Sequence, residues 1–130
     1  MTFKALLIIK AIVCLLFAPV LLFVPVMLLK ILGASLESGG LFTAREYGAA
    51  LVGGFMLTFF ARNVIAPDAR RAILLYLLVY DAIGVVVTLF SIVSGVLNLL
   101  AWSIVFVYLF FTAGSAYLLL QKQAIVETGA

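Results

Sequence analysis

The chain has no histidine and a single cysteine, Cys14, and only 10% of its 130 residues are charged. Each shortage removes a class of chemistry. Without histidine there is no Cys/His zinc site, no bis-histidine haem and no imidazole acid–base pair. One cysteine forms no disulfide within the chain and cannot serve a paired-thiol relay. A soluble domain carries about 25% charged residues, so this composition is not that of one. The formal net charge is +3, but the basic groups are split among short loops. There they act as an orientation signal rather than a nucleic-acid surface.

What remains is apolar: 68% of the chain is hydrophobic. A helix needs about 20 apolar residues to cross the hydrocarbon, and four such segments use most of the sequence. The expected fold is all-α, a four-helix transmembrane bundle forming a single domain over residues 1–130, with spans at about 5–32, 44–66, 69–92 and 99–120. The first span has no small-residue cleavage site at signal-peptide distance and is too long for a signal h-region, so it reads as retained.

Local signals fix the expected ends. Lys10 and Lys30 lie 20 residues apart, about 30 Å at helical rise, so each can snorkel to an opposite interface. Pro19 and Pro25 should kink the first span, and Gly33–Gly40 reads as a flexible loop. Thr43 and Glu46 match a capping box for the second span, with Phe42 and Tyr47 at its staple positions. Asp68 is the expected N-cap of the third span and Asn98 that of the fourth. With both termini on one side, that side holds Lys4, Lys10, Arg62, Arg70, Arg71 and Lys122, against Lys30 and Arg45 on the other. The imbalance predicts a multi-pass protein of the plasma (inner) membrane with N- and C-termini in the cytoplasm.

Asp81 is the residue whose presence most needs a reason, because a carboxylate at mid-membrane depth is expensive unless neutralised, paired or hydrated. It belongs to a stripe of small and polar residues, Asp81, Gly84, Thr88, Ser91 and Gly95, that should face other helices. Lys10 and Arg62 are its candidate partners, giving an expected intramembrane polar cluster of Asp81, Lys10, Arg62 and Thr88. In the second span Ala50, Gly54 and Thr58 form a small-xxx-small ridge expected to pack internally, with Gly84 its counterpart on the third. Arg62-Asn63 and Arg70-Arg71 can meet anionic headgroups or simply enforce orientation. The aromatics of the fourth span, Trp102, Phe106, Tyr108, Phe110, Phe111 and Tyr117, either face lipid or line a site for a flat lipophile.

A proline-kinked first helix, a short Gly/Ser loop, Arg45-x2-Gly48, Ala61-Arg62, Ala69-Arg-Arg-Ala72 and Trp102 near the start of the last helix together resemble small bacterial four-span membrane proteins of uncharacterised function. The resemblance implies a compact four-helix bundle and no activity or functional residue. Small multidrug transporters share the size, but their membrane carboxylate lies in the first helix, which here has none.

With no metal ligands, no nucleophile–base pair and no phosphate-binding loop, the sequence points to a protein that is not an enzyme and needs no cofactor. The expected role is an accessory or stabilising subunit of a larger membrane complex. Its expected partners are the lipid bilayer and other membrane subunits or further copies of itself, with no nucleic acid. Two alternatives stand beside it: a small oligomeric transporter or channel that uses Asp81 as a coupling carboxylate, and a membrane protein that binds a lipophile such as a quinone, pigment or sterol.

Overall fold

The computed structural model describes residues 1–121, and every regular element among them is helical. In chain order these are α1 (Phe3–Phe23), α2 (Pro25–Ile31), α3 (Ser38–Ala61), α4 (Pro67–Val93), a 3-10 turn (Leu99–Ala101) and α5 (Trp102–Leu120). Residues 122–130, Lys122 among them, lie outside the described residues.

Three of these helical segments, Phe3–Phe23, Pro67–Val93 and Leu99–Leu120, are long and apolar enough to cross a bilayer. The chain is thus a helical, multi-pass membrane protein by length and composition. α3 is as long but is not one of these three; Arg45 and Glu46 fall within its first half.

The boundaries follow from local chemistry. Thr2 caps α1, its hydroxyl accepting from Ala5 N–H at 3.2 Å. The helix continues through Pro19 and stops at Val24, whose backbone leaves the helical region at φ −133°, ψ 46°. A residue before proline is pushed out of the α region, and Pro25 then opens α2 as its first residue. The first span is therefore two helices rather than one bent one. The expected capping box at Thr43 does not form. α3 begins at Ser38, so Thr43 lies inside it and donates to Gly39 O at 3.1 Å. No proline stands between Ser38 and Phe42, and Gly39-Gly40, expected as loop, is taken into the first turn, so the helix extends past the capping signal. Ala66 caps α4 and Pro67 starts it, which leaves Asp68 in the first turn beside the positive end of the helix dipole.

Two glycines end helices at the same end of the molecule. Gly33 has φ +88° and Gly95 φ +74°. Gly33 and Ala34 N–H bond Lys30 and Leu29 O, while Gly95 and Val96 N–H bond Ile92 and Ser91 O. Both are the paired bonds of a Schellman ending. Asn98 joins the two endings. Its backbone N–H donates to Leu32 O at 2.7 Å, its Nδ2 donates to Ile31 O at 2.8 Å, and its Oδ1 accepts from Leu100 N–H at 3.0 Å.

Packing divides the bundle into two pairs, α1 along α3 and α4 along α5, with sparser contact between the pairs. Cys14, Ala18, Leu21 and Leu51 form the seam of the first pair. Gly48 lets α3 approach α1 closely, since a Cβ there would stand 3.0 Å from Leu22 N. The pairs are tied at the terminal end by Phe3, Leu6, Leu7, Leu74, Leu77, Phe111 and Leu118. That cluster gathers the start of α1, the first half of α4 and the second half of α5. The other end is tied by Asn98, and the middle is left for polar groups and for a cavity.

Candidate functional site

The buried stripe of α1 runs Phe3, Leu7, Lys10, Cys14, Ala18 and Leu21, so Lys10 holds a core position flanked by apolar side chains. Its counterpart on α4 runs Arg70, Leu74, Leu77, Asp81 and Thr88. The two stripes face each other across the bundle. Asp81 is fully buried and Lys10 is 6% exposed. The Lys10 ammonium donates to Asp81 Oδ1 as a salt bridge. The ammonium also lies 4.3 Å from the Phe111 ring centroid and 5.2 Å from that of Tyr80. Asp81 Oδ2, by contrast, has no hydrogen-bond partner among the described residues. Taking both charges out of water together, in contact and against ring faces, keeps either from being left as an isolated ion.

Beside this pair, three tyrosines from three helices converge. Tyr80 of α4 donates to the Tyr47 hydroxyl of α3 at 2.7 Å, and Tyr47 shares a second bond of 2.7 Å with Tyr108 of α5. Tyr108 fits because Gly84 lies under its ring: a Cβ at Gly84 would stand 2.6 Å from Tyr108 Cε1.

The expected polar cluster is only partly assembled. Lys10 and Asp81 meet. Arg62 does not reach them; it donates to Phe59 O of its own helix and stacks 3.9 Å over the Phe59 ring. Local capping by a side chain at the helix end is satisfied there without a long reach inward. Thr88 is buried, but its hydroxyl bonds back to Gly84 O at 2.8 Å rather than to Asp81. Arg70 is turned inward, donating to Val64 O at 2.7 Å beside the Phe3 ring, whereas Arg71 is exposed.

The packing residues divide in the same way. Gly54 abuts Cys14 and Thr58 is buried, bonding Gly54 O at 2.7 Å, yet Ala50 is exposed. The internal face of α3 runs Gly48, Leu51, Gly54 and Thr58, so only Ala50 of the expected ridge falls off it. Of the aromatics in α5, Phe111 is buried, and Trp102, Phe106, Phe110 and Tyr117 face outward.

Between the helix pairs lies a cavity of about 660 Å3. It runs from Leu28 and Leu32 of the α2 end, past Thr43, Leu51 and Ile104, to Lys10, Tyr47, Tyr80 and Tyr108. Its wall is mostly aliphatic; the Lys10 ammonium and the three tyrosines line its inner end, and Thr43 and Ser103 line it further out. The size falls within the range of about 300–1,000 Å3 found for small-molecule sites, and a few convergent polar groups on an apolar wall is their usual chemistry. Among the described residues no group of three His, Cys, Asp or Glu side chains converges to hold a metal. The sequence signal for Lys10 was its reach toward Asp81, which Arg62 shared; it turns inward to that carboxylate rather than snorkelling to an interface. No periodicity could have brought Tyr47 and Tyr108 together, because they lie on helices far apart in the chain.

Comparison of the chain with protein-family models, with curated proteins and with solved structures finds no significant match, so no family is assigned.

Proposed function

We propose that this protein is a non-catalytic four-span membrane protein that holds a lipophilic molecule between its two helix pairs. The observation that carries the reading is the 660 Å3 cavity with its polar inner end. Unfilled, its aliphatic wall would lack packing partners. A lipophile delivered from the bilayer supplies those contacts at little desolvation cost.

Three features support the membrane arrangement. α3 packs along α1, so it would be carried across the bilayer beside it despite Arg45 and Glu46. The surfaces of α1, α4 and α5 expose large apolar side chains such as Leu16, Val86, Phe90 and Phe106, as lipid contact requires. Lys4 and Arg71 are exposed and Arg62 is half-buried at the terminal end of the bundle, which orients that end to the cytoplasm.

The test is extraction in mild detergent followed by native mass spectrometry. A small non-covalent adduct should accompany the chain and be lost when Ile104→Trp fills the cavity. A chain free of small-molecule adduct, whether alone or carried in stoichiometric complex with another membrane protein, would overturn the reading. The complex would favour the rival role of accessory subunit.

A further inference from the structure

The three tyrosine hydroxyls at the inner end of the cavity carry three O–H protons and make two hydrogen bonds among themselves. Tyr80 and Tyr108 also meet edge to face, 6.3 Å between ring centroids, but only the two bonds through Tyr47 have hydrogen-bond geometry, so the cluster is an open chain. Tyr80 donates to Tyr47. If Tyr47 donates onward to Tyr108, the Tyr108 proton has no acceptor. If Tyr108 donates to Tyr47, the Tyr47 proton has none. Whichever way the second bond runs, one O–H is left over, and both residues that can carry it line the cavity. A donor with no acceptor in a water-poor interior is costly, more so than an acceptor left with a spare lone pair.

Charge narrows the choice further. Lys10 lines the same end, and an ammonium has three donors, of which one is committed to Asp81. Its positive charge is already cancelled by that carboxylate. The inner end therefore offers hydrogen-bond donors without net charge. A carboxylate head entering it would be placed near Asp81 with no surplus cation to pair with, while a pure hydrocarbon would leave the free O–H unmet. A carbonyl oxygen has two lone pairs and no charge, and meets the free hydroxyl while remaining open to a second donor.

We infer that the cavity selects neutral lipophiles that end in a carbonyl acceptor, seated head-first against the Tyr47 and Tyr108 hydroxyls. The inference rests on the lipophile-binding reading above and adds the chemistry of the ligand to it.

Three probes of matched chain length separate the possibilities: methyl laurate (neutral, carbonyl), dodecane (no acceptor) and laurate (charged). Each is added at equal mole fraction to the full chain in detergent micelles, and retention is read by native mass spectrometry. Methyl laurate should be retained roughly five- to tenfold more strongly than dodecane, the worth of about one hydrogen bond, and more strongly than laurate. In the triple variant Tyr47→Phe, Tyr80→Phe, Tyr108→Phe the advantage over dodecane should shrink to about twofold or less. Dodecane retention by that variant shows that the cavity still forms. Equal retention of ester and alkane by the parent chain overturns the carbonyl inference and leaves the lipophile site standing. Tightest retention of laurate overturns the selection for neutral ligands. Retention of none of the three by the folded parent chain overturns both readings. Should the triple variant not fold, the comparison in the parent chain decides alone.

Discussion

Lys10 and Asp81 show how a membrane interior tolerates two charges: each is the other's solvent. The pair is buried, and one carboxylate oxygen has no bond among the described residues, so its strength depends on keeping both members. Replacing Asp81 with Ala strands a buried ammonium and should cost about 3–5 kcal/mol. The double replacement Lys10→Met, Asp81→Leu removes both charges and should cost less than either single change. Unfolding midpoints in detergent give both values, and a double variant no more stable than Asp81→Ala would contradict this account. The importance of Asp81 was legible from hydropathy alone. Its partner was legible only as one of two, because long side chains on two helices had comparable reach. The tyrosine cluster was not legible at all, since it depends on the rotation of three helices about their axes, which composition does not encode.

The helices themselves show which signals in the sequence are strong. The Val24–Pro25 break follows from steric exclusion, and Asn98 caps the last span as its side chain allows. The capping box at Thr43 failed because capping residues inside a helix bond back to the preceding turn without ending it. The small-residue ridge of α3 packs inward at Gly54 and Thr58 but not at Ala50: spacing alone cannot tell Ala50, which is exposed, from Gly48, which is buried. This contrast makes a direct test. Gly48→Ala pushes a methyl against Leu22 and should destabilise the α1–α3 pair by about 1–3 kcal/mol. Gly53→Ala, with nothing within 4 Å of its Cβ, should be neutral or stabilising by up to about 1 kcal/mol. Thermal unfolding of the two variants side by side should place them on opposite sides of the parent.

At the scale of the whole molecule, the loops fall into two sets at opposite ends. One set is the segment between α2 and α3 with the turn around Gly95, and the other is the segment between α3 and α4 with the N-terminus. With Cys14 replaced by Ala, a cysteine at Ser35 should react with a membrane-impermeant maleimide in intact cells of an expression host, and one at Asn63 should not. Reaction at Asn63 would reverse the orientation. Cys14 itself, 1% exposed between α1 and α3, should stay unmodified in the purified protein until it is unfolded.

The sparse contact between the helix pairs has a mechanical consequence. A bundle fastened at its two ends but hollow at its waist is soft to hydrostatic pressure, because unfolding or collapse eliminates internal void. Pressure should therefore unfold this protein more readily than a solidly packed bundle of equal size. An occupant of the waist should stiffen it, raising the midpoint pressure without any change in the helices. High-pressure tyrosine fluorescence, with and without methyl laurate, would report that stiffening as a shift in the transition.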